Sequence, residues 1–102
     1  MITHCVFIRY AASTDTLARE RIYLALHALK PRIPGLLDIV VAPNTSPEGL
    51  DKGFSEGFVV TFADAAARDA YLVDEEHRKV GGMIVAAAEG GVDGILVYDL
   101  AH

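Results

Sequence analysis

The 102-residue sequence has no tryptophan and a single cysteine, and its nine Lys and Arg are outnumbered by fourteen Asp and Glu. Each shortage excludes something. Cys5 has no partner for an internal disulfide, and among Val6, Phe7 and Ile8 no neighbouring cation lowers its pKa. It reads as a buried thiol and not as a nucleophile. With a formal charge of −5 and only Arg78-Lys79 as an adjacent basic pair, the chain lacks the basic patch that nucleic acid or an anionic membrane requires. Neither partner is expected. No apolar run approaches the roughly 20 residues of a membrane span, and the N-terminus meets His4 and Arg9 too soon for a secretory leader. The expectation is a cytoplasmic protein, in which the Asn44-Thr45-Ser46 sequon is a loop coincidence. Also missing are a glycine-rich phosphate loop, a paired-cysteine metal site and a histidine pair one helical turn apart. His4, Glu56 and His77 are too dispersed in sequence to argue a metal site, so no metal and no cofactor is expected.

Apolar residues make up 52% of the chain, enough for one globular domain over residues 1–102 and too short for two. Strand-like alternation runs from Ile2 to Tyr10, with Ile2, His4, Val6, Ile8 and Tyr10 on one face. Helical spacing follows from Asp15 to Lys30, capped by Ser13 or Thr14, with an apolar stripe of Ile22, Ala25, Leu26, Leu29 and Ile33. Pro31 and Pro34-Gly35 end it. A strand over Leu36–Ala42 leads into a turn-rich loop, and a third strand runs over Phe54–Phe62. Asp64 caps a helix to about Leu72, Asp74 caps another to about Glu89, and Val92–Leu100 is the last strand. The order β-α-β-β-α-β predicts an α+β, ferredoxin-like fold with a four-stranded antiparallel sheet and its helices on one face. Cys5, Phe7, Val40, Val59, Ile95 and Val97 fall opposite the main apolar sets. A sheet apolar on both faces needs a second cover. The simplest is the same face of another copy, a homodimer.

Four segments carry a family resemblance that spans nearly the whole chain: "HCVFIRY", "IPGLLDIVVAPNTSPEGLDKGF", "AYLVDEEHRKV" and "ILVYDL". Together they resemble the stress-responsive dimeric α/β-barrel (Dabb) domain, a family that includes the plant olivetolic acid cyclase. The resemblance implies a ferredoxin-like protomer whose sheet joins a second protomer's in a dimeric α/β barrel. In the cyclase branch, a tyrosine and a histidine in a small cavity between sheet and helices bind a linear polyketide and perform acid–base chemistry on it. Motif for motif these are Tyr71 and His77, and His4 matches a further histidine lining the cavity. The segment often reading Gly-aromatic-Thr-His is here Gly53-Phe54-Ser55-Glu56, so Glu56 replaces a pocket histidine.

Each of these residues also has a plain structural reading. His77, at the third position of the helix capped by Asp74, is either a general base or a capping histidine. The helix N-terminus disfavours its protonated form, whereas Asp74, Glu75 and Glu76 favour it. On the same helical face Gly81, Ile84 and Ala88 leave room beside the imidazole, and Leu26 of the first helix completes the candidate substrate-binding set. Gly81-Gly82 costs about 1 kcal/mol per residue relative to Ala, and signals either room for a ligand or a kink. Tyr71 is a packing aromatic, or its hydroxyl holds a substrate oxygen. Glu56 shares a face with Phe54, Phe58, Val60 and Phe62. It must pair with a cation, bind a ligand or carry a raised pKa, unless it lies at an exposed strand end. His4 is a lining residue or a satisfied core histidine. Three functions fit: a cofactor-free enzyme or binding protein for a small carbonyl-bearing or polyketide-like compound, a non-catalytic stress-responsive oligomer, or a cofactor-independent oxygenase-like barrel.

Overall fold

Seven elements build the chain, whose residues 1–102 are all described by the computed structural model. Strand β1 spans Ile2–Ile8 and helix α1 Thr16–His27, followed by β2 over Leu36–Pro43 and β3 over Glu56–Phe62. Helices α2, Ala65–Val73, and α3, Glu75–Ala87, precede β4, Ile95–Ala101. The strands form one antiparallel sheet in the order β2-β3-β1-β4, and the three helices lie against one face of this ferredoxin-like sheet. No helix is long and apolar enough to cross a membrane.

Local chemistry sets the boundaries. The cap of α1 is Asp15, whose carboxylate accepts the Ala18 amide, and not Ser13 or Thr14. That helix stops at His27, and Lys30–Arg32 forms a separate 3₁₀ turn with Pro31 at its start. Asp64 and Asp74 cap α2 and α3, each accepting the amide three residues on. A side-chain acceptor there satisfies one of the four amides that a helix start leaves unpaired. Gly81-Gly82 does not interrupt α3, which runs on from Glu75 to Ala87. Strand β3 begins at Glu56, leaving Phe54 in the loop, and a 3₁₀ turn over Gly91–Gly94 delays β4 to Ile95.

The core lies between sheet and helices. Ile2, Val6 and Ile8 of β1, Phe58, Val60 and Phe62 of β3, and Ile22, Leu26 and Leu29 from the α1 segment are all buried there. Each such side chain contributes about 1.5–3 kcal/mol on leaving water. The pairing of Val6 with Val97 and Ile8 with Ile95 puts Ile95 and Val97 on this helix-facing side. That corrects the face assigned from alternation. The outer face of β4 is Leu96, Tyr98 and Leu100, all exposed, beside Phe7 and Val40. The outer sheet face is therefore apolar, as the pattern required, but through different β4 residues.

Candidate functional site

Tyr71 and His77 converge. The break between α2 and α3 at Asp74 turns the chain so that the two rings meet at a tilt of 46°, with centroids 4.1 Å apart. Tyr71 is 1% exposed and also meets Phe62 at 5.1 Å and His4 at 5.9 Å. Burial alone pushes the Tyr71 hydroxyl up from its ordinary pKa, and no hydrogen bond or charge contributes. The hydroxyl therefore stays protonated at neutral pH and can donate.

His77 owes its position to the cap: its backbone amide donates to Asp74 Oδ2 at 3.0 Å. Asp74 is in turn held by Arg32, whose Nη2 lies 3.0 Å from Oδ1. Arg32 and the His77 amide together lower the Asp74 pKa. The imidazole Nδ1 of His77 is buried with no hydrogen-bond partner. Its pKa is lowered first by burial and then by nearby His4, while the Leu72 carbonyl and Asp74 oppose this. The pull of Asp74 toward the protonated form is thus outweighed by desolvation, and the neutral imidazole is favoured at pH 7.

His4 is 4% exposed, and its Nδ1 lies 2.6 Å from Asp99 Oδ1. Arg68 of α2 reaches the other Asp99 oxygen at 2.8 Å. Burial raises the Asp99 pKa, but Arg68 and His4 outweigh it and hold the carboxyl below its ordinary value. Glu56 is not part of this cluster. Its carboxylate is ion-paired with Arg19 and accepts a hydrogen bond from the Tyr23 hydroxyl at 3.0 Å. Tyr10 donates to Tyr23 in turn, and the Arg19 guanidinium lies over the Tyr10 ring, 4.6 Å from its centroid. Of the alternatives for Glu56, pairing with a cation is the one realised.

Leu26 and Ile84 are buried core residues, and Gly81 is half-buried. A Cβ on Gly81 or Gly82 would meet nothing within 4 Å, so neither glycine is demanded by contact within the chain. Neither of the two main cavities touches Tyr71 or His77. The larger, about 400 Å³, opens on the outer sheet face beneath the β2–β3 loop and is lined by residues including Phe7, Val40, Leu50, Phe54 and Tyr98. The smaller, about 300 Å³, is bounded by Glu20, Tyr23, Leu24 and His27. The pocket expected around Tyr71 and His77 is thus not one of the two. The structure adds three polar residues that sequence reading passed over, Asp99, Arg68 and Arg19. Asp99 had a signal, as the one acid inside "ILVYDL".

A ferredoxin-like sheet with an enclosed tyrosine–histidine cluster defines the class, and comparison with known proteins narrows it. Residues 2–101 match the model of the stress-responsive A/B barrel domain, and the chain belongs to that family. It is similar to a dimeric ferredoxin-like protein of unknown function from Jannaschia sp. CCS1, at 36% identity over 99% of this chain and 98% of that one, with a TM-score of 0.93. A hydroxynitrile lyase from Passiflora edulis shares the fold at 19% identity over 97% and 90% of the two chains, with a TM-score of 0.84. A Dabb family protein from Mesorhizobium loti does so at 22% identity over 99% and 95%, with a TM-score of 0.76. No curated protein matches the chain.

Proposed function

We propose that the chain is a homodimeric protein that takes a small carbonyl-bearing compound between sheet and helices and moves a proton on it without a cofactor. The observation that carries this reading is the contact of the His77 imidazole with the buried Tyr71 ring, their centroids 4.1 Å apart. A neutral imidazole keeps one unprotonated ring nitrogen, which can take a proton from a carbon next to a carbonyl. The protonated Tyr71 hydroxyl can donate to the oxygen on which charge develops. Lyase or isomerase reactions, cyclisation of a polyketide-like chain among them, need no further parts. His4 and the space beside Gly81 would border the ligand. The buried thiol of Cys5 suits a reducing, cytoplasmic compartment.

The dimer reading is supported by exposed Val40, Leu96, Tyr98 and Leu100 with half-buried Phe7 on one sheet face and by the similarity to the Jannaschia protein described as dimeric. Light scattering should give twice the 11.0 kDa chain mass, and Leu96→Asp should lower it toward one chain. A single-chain mass for the wild type would refute this.

The proton-transfer reading is tested by exchange of the α-protons of small ketones and β-keto lactones into deuterium oxide, followed by proton NMR. Loss of a general base costs about 10²–10⁴-fold, so His77→Ala should slow exchange by that much and Tyr71→Phe by less. Equal rates with wild-type and folded variant proteins would overturn it. One observation favours a second reading, that of a non-catalytic oligomeric domain: the rings of His4, Phe62, Tyr71 and His77 pack against one another, and neither cavity described above touches Tyr71 or His77. On that reading both substitutions change stability and no compound exchanges faster with protein than without.

A further inference from the structure

We propose that Asp99 and Arg68 are positioning residues of this site, holding His4 as the Nδ1–H tautomer so that its Nε2 is a fixed hydrogen-bond acceptor on the ring that faces Tyr71. The inference rests on the reading of Tyr71 and His77 as the working pair, and adds the role of the second histidine. His4 and Asp99 sit directly opposite one another in the β1–β4 ladder, on the helix-facing side, where cross-strand side chains come within reach. Their 2.6 Å contact is enclosed, with His4 4% exposed. An ionised carboxylate can only accept, so a neutral His4 must place its proton on Nδ1, leaving the lone pair on Nε2. A carboxylate that orients an imidazole in this way selects the tautomer on which proton transfer depends.

Half-buried Asp99 is kept ionised by Arg68, at 2.8 Å from the second oxygen, together with His4. Arg68 is itself steadied by Asp69 at 2.9 Å. The arrangement runs from α2 through β4 to β1 and ends at the Tyr71 ring. Tyr71 is thus flanked by two different histidines: His77 with a buried, unpartnered Nδ1, and His4 with its Nδ1 committed to Asp99.

Long-range proton–nitrogen NMR of histidine-labelled protein above neutral pH reads the tautomer without a ligand. His4 should show a protonated Nδ1 and an unprotonated Nε2. In Asp99→Asn, nearly isosteric, the side-chain amide can donate to Nδ1, and the proton should move to Nε2. Arg68→Leu, should the first variant fail to fold, should raise the pH at which the Asp99 carboxyl carbon titrates. A wild-type His4 protonated on Nε2, or an Asp99→Asn spectrum identical to wild type, would overturn the proposal. Should the tautomer be as stated while no small ketone or lactone shifts residues 71–84, the working-pair reading falls and the positioning of His4 stands.

Discussion

Replacing Gly82 or Gly81 by alanine separates the stability of helix α3 from any binding beside it. Both glycines lie inside the uninterrupted helix Glu75–Ala87, and a Cβ at either would meet no atom within 4 Å. Alanine therefore fits without displacement, and it gains the helix propensity that glycine forgoes, about 0.8–1.0 kcal/mol at each site. Much of that gain comes from a less flexible unfolded chain. For a domain near 100 residues, 1 kcal/mol moves Tm by about 4–8 °C, so each variant should melt that much higher at equal protomer concentration. The two positions then part. Gly82 is exposed, whereas Gly81 is half-buried one turn after His77. Gly82→Ala should stabilise and leave ligand affinity alone, while Gly81→Ala should stabilise and weaken binding of any compound seated beside His77. A loss of about 1 kcal/mol in either variant, by urea unfolding, would show that something outside the chain packs there and would refute the reasoning.

Cutting the Arg19–Glu56 pair with Arg19→Leu leaves a largely enclosed carboxylate with only the Tyr23 hydroxyl. The loss should be about 1.5–3 kcal/mol, the range for a hydrogen bond to a charged group, and a double-mutant cycle with Glu56→Gln should return most of it as coupling. Burial lowers the His77 pKa below 6.5, so the folded state resists a proton that the unfolded state accepts. Stability should then fall as pH drops below about 6.5, and His77→Gln should flatten that part of the urea-midpoint curve. Asp74 has a lowered pKa set by Arg32 and the His77 amide; its contribution is present above the ordinary carboxylate range and lost as pH falls through its folded value. Asp74→Ala should lower the urea midpoint, and Asp74→Asn, which can still cap, should restore part of it.

The order of elements was legible because the apolar periods switch cleanly from two to near four, and because Asp64 and Asp74 mark helix starts. His4 and Glu56 were legible as anomalies, being polar residues on apolar strand faces. Their partners were not. Asp99 lies 95 residues from His4 and Arg19 lies 37 from Glu56, and only strand register and helix docking bring them together. The same limit explains the error on β4. In "ILVYDL" both faces are apolar, so alternation sorts Ile95 and Val97 from Leu96 and Tyr98 without saying which pair meets the helices. Pairing of Asp99 with His4 decides it. The convergence of Tyr71 with His77 needed the sharp turn at Asp74, which the sequence permitted. That the main cavity lies on the outer sheet face depends on how the β2–β3 loop folds back, which no periodicity encodes.

The most direct test of the central claim is a backbone amide NMR titration with small β-diketones, phenolic acids and lactones, run in parallel on Tyr71→Phe and His77→Ala proteins. Saturable shifts confined to residues 71–84 and their sheet neighbours are expected, weakened in both variants. Folded, dimeric protein in which no compound moves those residues would contradict it.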